Sequence, residues 1–354
     1  MNDKERIEAL LRREKPDRVP LWPFATGGYA VKNAGYTISD AYNKPGKALE
    51  AQRWCCEQYG WVFTPTIGYA AHGGWEFGGE IQWPTDKLQQ APAVVKYVVE
   101  TEDDVRKLEV PQLQSAGIIP LLREFYTMSS KEMLENEPFN VKSFGAGSAF
   151  TVAGNIAGPE KLCAWLRTKP DIAHRLLRLA TDYIKNFAQY WKELFGVEGV
   201  LPSGADPTSS NQLISPKHFE RFALPYLKEA NEHFLNLGYR HLYVHICGEH
   251  NGNLPYWAQV PMGNPGFVSF GNEVKLKTAA SYFPDDIIVG NIAPSIFLNG
   301  TPQQVYDATR KVIEEGKECP GGFVLSPGCE LPPMSPPLNV WMMTKAVNDF
   351  GWYD

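Results

Sequence analysis

Apolar positions along this chain alternate between two spacings. Ile7, Leu10 and Leu11 form a helical stripe that Pro16 closes, and a short unbroken apolar run, Val19-Pro-Leu-Trp-Pro-Phe24, follows. Spacings of three and four mark one face of a helix, whereas short apolar runs bounded by Gly or Pro mark buried strands. Pro20 and Pro23 lack the backbone donor a ladder needs, so the first strand is expected to be very short. A helix over residues 45–59 leads to a second strand at 60–65. Residues 67–83 then break the pattern with five glycines among Tyr69, His72, Trp75, Phe77 and Trp83, which predicts either a lid or a hairpin packed over a larger fold.

The beat then resumes. Helices are expected at 102–108 and 118–126, a strand at 139–144, and a long amphipathic helix at 170–195 with Ile172, Leu176, Leu177 and Ile184 on its apolar side. Strands follow at 199–201, 242–246, 267–270, 287–289 and 323–325. Ser215-Pro216, Thr301-Pro-Gln-Gln304 and Ser335-Pro336 read as the starts of the intervening helices. Eight apolar strands without clean alternation, separated by helices, predict a parallel sheet buried on both faces. Their number and the chain length favour an α/β fold of one closed (β/α)8 barrel over residues 1–354, with an N-terminal helical extension.

Composition narrows the partners. With 354 residues, 44% of them hydrophobic, the chain has enough apolar material for a large core. The net charge of −6 offers no basic surface for nucleic acid. No apolar run approaches the ~20 residues of a membrane span, and the polar start lacks a signal-peptide pattern, so a cytoplasmic protein is expected. Six cysteines in a chain this long are thiols or ligands rather than a disulfide framework. Cys55, Cys56, Cys163 and Cys319 read as core.

The remaining two cysteines carry the chemistry. Alternate residues of a strand share a face, so His245 and Cys247 are expected side by side, with Gly248 turning the chain immediately afterwards. Cys329 follows another strand end, after Pro327-Gly328. One imidazole and two thiolates suit zinc, and three protein ligands with a free position mark a catalytic site. A barrel enzyme collects its chemistry at strand C-termini, and those ends here carry His72, Gly145, Gly147, Asp206, Glu273, Asn291 and Glu330 beside the three ligands. Asp206 or Glu273 is expected to complete the metal shell or to brace the His245 imidazole, with an N-cap or solvated turn as the ordinary alternative for each. Gly145, Gly147 and Asn291 are expected to contact a cofactor.

His245-Ile-Cys-Gly248, Val289-Gly-Asn-Ile292 and Leu325-Ser-Pro-Gly-Cys-Glu-Leu-Pro-Pro-Met-Ser335 resemble the uroporphyrinogen decarboxylase-like superfamily, within it the zinc-dependent methyltransferases that work with corrinoid proteins. The pattern is most similar to methylcobalamin:coenzyme M methyltransferases. This resemblance implies a (β/α)8 barrel with zinc on His245, Cys247 and Cys329, and a cobalamin-type corrinoid delivered by a partner protein. The arginines and aspartate that hold a porphyrinogen's carboxylates are missing from Trp22-Pro-Phe-Ala-Thr-Gly-Gly-Tyr29 and Phe63-Thr-Pro-Thr-Ile-Gly68, so decarboxylation is disfavoured. Trp22, Phe24, Tyr29, Tyr69, Trp75 and Trp83 are expected to line an apolar pocket for a small methoxylated, aromatic methyl donor, with His72 protonating the departing phenolate. The alternatives are methyl transfer from the corrinoid to a thiol such as coenzyme M, and a non-catalytic zinc or docking protein.

Overall fold

A computed structural model describes residues 1–25, 27–87, 89–136 and 142–353. Its centre is a parallel sheet in which each strand pairs with the next in sequence. Strands β1 (Glu80–Gln82) and β2 (Ala93–Lys96) form a small antiparallel hairpin outside it. The central strands are β3 (Lys142–Phe144), β4 (Val200–Ala205), β5 (Tyr243–Ile246), β6 (Phe267–Phe270), β7 (Ile287–Ile292) and β8 (Phe323–Pro327). Their order is that of a (β/α)8 barrel, with helices between successive strands. Part of the third expected strand, residues 139–141, lies outside the described residues.

Two of the eight expected strands complete the wall without joining a regular ladder. Residues 19–24 run beside β8 through a parallel bridge between Leu21 and Leu325, with Trp22 N donating to Leu325 O at 3.1 Å and Leu325 N to Pro20 O at 2.9 Å. Pro20 and Pro23 supply no N–H, which accounts for so short a pairing. Residues 61–65 join no helix or ladder, and Gly60, at φ +66°, ends the preceding helix. Gln52 holds the end of this segment through both backbone groups of Thr66, and Thr66 Oγ1 donates to Ser143 O at 2.9 Å.

Side chains fill the interior in layers. Trp22, Val62, Leu201, Tyr243, Phe267, Val289 and Val324 pack together in the lower barrel, where Trp22 meets the rings of Tyr243 and Phe267 edge-on at 5.7 and 5.5 Å. Ile7 and Leu10 join the same cluster from the N-terminal helix Asp3–Leu11. This helix closes the base of the barrel: its Leu10 lies against Gly322, just ahead of β8. Outside the sheet, the long helix Pro170–Phe195 buries Leu176, Leu177, Phe187 and Trp191 along one face, as its periodicity predicts. No helix among the described residues is long and apolar enough to cross a membrane.

The glycine-and-aromatic stretch becomes a run of turns over residues 70–78 that leads into β1. Glu76, only 5% exposed, pins it. Its carboxylate accepts from Gly73 N at 2.7 Å and from Ile118 N at 3.3 Å. Burial nevertheless pushes this carboxyl up to about 7. The folded state therefore binds the proton more tightly than the unfolded chain. Stability from this group is full below about pH 4.5 and is lost as pH rises through about 7, amounting to about 3 kcal/mol. Urea midpoints measured from pH 5 to 8 should fall with pH in the wild type, and Glu76→Gln should flatten that slope.

Candidate metal centre at the barrel mouth

The two-residue period of β5 aims Tyr243, His245 and Cys247 at the same interior face. His245 sits in register with Ala205 on one side and Ser269 on the other. Beyond β8, Gly328 N donates to Ile292 O at 2.7 Å, which ties the turn to β7 and delivers Cys329 to the mouth. The Sγ atoms of Cys247 and Cys329 lie 4.0 Å apart. One nitrogen of His245 and these two sulfurs all fall within 4.8 Å of one another.

Three features suit this cluster to a metal. First, tetrahedral geometry with metal–sulfur bonds of about 2.3 Å puts two sulfurs about 3.8 Å apart, close to the spacing found here. A disulfide needs sulfurs at about 2.05 Å, and both cysteines are free. Second, His245 Nδ1 is within 3.0 Å of Ser269 Oγ, while the buried Nε2 has no hydrogen-bond partner. A buried ring nitrogen without a partner costs free energy unless something else binds it. Third, the thiols act as a pair. The close contact with Cys247 favours the Cys329 thiolate, while the same contact and burial keep the proton on Cys247.

The other expected residues divide. Glu273 stands at the exposed lip, its carboxylate beside Gly271, and both it and Asp206 place negative charge near Cys247. Asp206 is 1% exposed and its oxygens accept from Thr151 Oγ1 at 3.0 Å and Ser209 Oγ at 2.6 Å. Neither carboxylate braces His245. That place belongs to Ser269, which the sequence reading missed; its only signal there is one hydroxyl within the apolar run Phe267-Val-Ser-Phe270. Glu330 accepts from Gly28 N at 3.3 Å, and burial followed by the charge of Cys329 raises it to about 8.

Asn291 spends its amide on Gly271 O and Val274 O, at 3.1 and 2.7 Å, so it braces the loop that carries Glu273 rather than reaching for a cofactor. Gly145 has a packing reason, since a Cβ there would stand 1.9 Å from Ser203 O, and Gly147 adopts a φ of +77°. His72 does not join the triad. Its ring is buried against Tyr69 and Phe187, Nδ1 lies 3.2 Å from Tyr183 Oη, and desolvation lowers its pKa to about 3. A ring held neutral in this way is a poor acid for a leaving phenolate.

The aromatic pocket also contracts. Phe24 meets His245 edge-on at 6.2 Å and Trp22 lies in the layer below. Tyr29 instead bonds Tyr59, and Trp75 packs on Trp83, which stacks on Tyr42. These rings pack on one another. A cavity of about 40 Å³ behind β4 and β5, lined by Ile184, Leu227, Phe234 and Trp257, is too small for a substrate.

The parallel barrel gathers one imidazole and two cysteines at its strand C-termini, where a barrel enzyme places its chemistry. The family model described as "Uroporphyrinogen decarboxylase (URO-D)" matches residues 2–350, and the chain belongs to that family. It is 28% identical to "Methylcobamide:CoM methyltransferase MtbA" of Methanosarcina mazei, over 99% of this chain and 98% of the relative. It is 25% identical to "Uroporphyrinogen decarboxylase" of Xylella fastidiosa, over 98% of each chain. Among solved structures, "methyltransferase from Methanosarcina mazei" superposes with a TM-score of 0.82 at 22% identity and covers 99% of both chains, a likeness of fold.

If the triad is a metal site, the purified protein dialysed against zinc and then buffer should retain about one ion per chain. Cys247→Ala and Cys329→Ala should each lose most of it. Equal retention in all three proteins, read by mass spectrometry of the metal, would remove the assignment.

Proposed function

We propose that this enzyme is a zinc- and corrinoid-dependent methyltransferase, one barrel unit over residues 1–354. It takes the methyl group from a small methoxylated aromatic compound and passes it to the cobalt of a separate corrinoid protein. The observation that carries the reading is the triad itself, with the buried Nε2 of His245 unpartnered beside two sulfurs 4.0 Å apart at the mouth. Zinc on such a set would act as a Lewis acid toward the ether oxygen of the donor.

The chain's own residues supply binding and orientation. Phe24 gives the site an apolar flank next to His245, suited to an aryl ring. Glu273 and Asp206 surround Cys247 with negative charge. Like charges brought together there repel. An uncharged ether escapes that cost and a sulfonated thiol does not. In the reaction, cobalt(I) supplies the electron pair of the new cobalt–carbon bond. The oxygen–methyl bond breaks, and the phenolate leaves with its pair and takes a proton from solvent at the open lip rather than from His72.

A second reading has a specific observation behind it, namely that several relatives carry the name methylcobamide:CoM methyltransferase. It uses the same ligands with the methyl moving from cobalt to a thiol sulfur. Single-turnover visible spectroscopy separates the two. The first reading expects loss of the cobalt(I) cobalamin band with methoxyarenes, abolished in Cys247→Ala. Demethylation of methylcobalamin by thiols alone would establish the second, and silence in both directions with metal bound would remove methyl transfer altogether.

A further inference from the structure

His245 has two ring nitrogens, and the fold treats them differently. Nδ1 faces Ser269 Oγ at 3.0 Å, while Nε2 is buried and unpartnered. Ser269 is 3% exposed and stands opposite His245 in the β5–β6 register, so both side chains share the interior face. Phe24 closes on the imidazole edge-on. Tyr243, two residues before His245 on the same face, is the diagonal neighbour of Ser269 across the β5–β6 pair.

A serine has one proton to give, and that limits the arrangement. If Nε2 is bare, Nδ1 carries the ring proton and donates to Ser269 Oγ, which turns its own proton to the Tyr243 oxygen. If Ser269 donates to Nδ1 instead, Nε2 carries the proton and cannot ligate a metal. Nδ1 is the partnered nitrogen, and Tyr243, diagonal to Ser269 on the same face, is the side chain placed to supply the acceptor that the first arrangement requires.

We infer that Ser269, backed by Tyr243, is a positioning residue that holds His245 in its Nε2-bare tautomer and so sets the affinity of the triad for its metal. This rests on the metal reading above. Metal-bound histidines commonly donate their second N–H to a carboxylate, a carbonyl or water. Here the buried carboxylate nearby, Asp206, is occupied by Thr151 and Ser209. A neutral hydroxyl makes His245 a weaker electron donor than a carboxylate would, which leaves the bound metal more electrophilic.

Chelator competition on the full-length protein tests this directly. Ser269→Ala should weaken zinc binding about 10–100-fold at an unchanged thermal midpoint, and Ser269→Thr, which keeps the hydroxyl, should restore it. Tyr243→Phe should weaken binding in the same direction but less, and the double variant should be no weaker than Ser269→Ala, because the two act in series. The visible bands of the cobalt(II)-substituted protein should shift in Ser269→Ala, which a loss of packing alone would not cause. Wild-type affinity and spectrum in Ser269→Ala would overturn the inference while the metal reading stands. Failure of the wild type to bind zinc or cobalt would overturn both.

Discussion

The site exists only because two strand ends meet across the barrel mouth. β5 and β8 are separated by β6 and β7 in the sheet, and at a strand spacing of about 4.8 Å a flat sheet would hold them about 14 Å apart. The sulfurs of Cys247 and Cys329 are nevertheless 4.0 Å apart. Curvature of the wall supplies the difference. Residues 19–24 continue that curvature past β8 and bring Phe24 to the imidazole, so the irregular first segment shapes the mouth without a full ladder.

Beneath this contact the barrel changes character from one layer to the next. Trp22, Tyr243 and Phe267 fill the lower interior with rings, and Ile7 and Leu10 seal its base. One strand step higher, the inward positions become His245, Ser269 and Ser326, and Ser326 Oγ accepts from Phe24 N at 3.2 Å. Hydrophobic burial therefore stabilises the lower half, and the upper half is polar but largely satisfied. His72 and His233 also bury an unpartnered Nε2, but the His245 ring differs in standing beside two thiols.

Much of this was legible in the sequence because it depends on short-range rules. The alternation of a strand puts His245 beside Cys247, and the glycine turns after them and before Cys329 mark strand ends. The barrel followed from counting apolar runs, even though the segments at 19–24 and 60–65 join no regular ladder. What stayed hidden was long-range. Ser269 becomes a partner of His245 only through strand register. His72 and most of the expected pocket aromatics look like mouth residues by sequence position, yet Tyr183, Phe187, Tyr59 and Tyr42 draw them into other packing. Asp206 does follow β4, and of the hydroxyls on it Ser209 is local, three residues on, whereas Thr151 comes from 55 residues away.

The central claim is that His245, Cys247 and Cys329 bind one metal and leave a position open. X-ray absorption at the zinc edge of the loaded protein measures that coordination. The account predicts two sulfurs at about 2.3 Å together with lighter nitrogen or oxygen neighbours at about 2.0–2.1 Å, one of them exchangeable for an added ligand. A shell of four sulfurs, or one without sulfur, would contradict it.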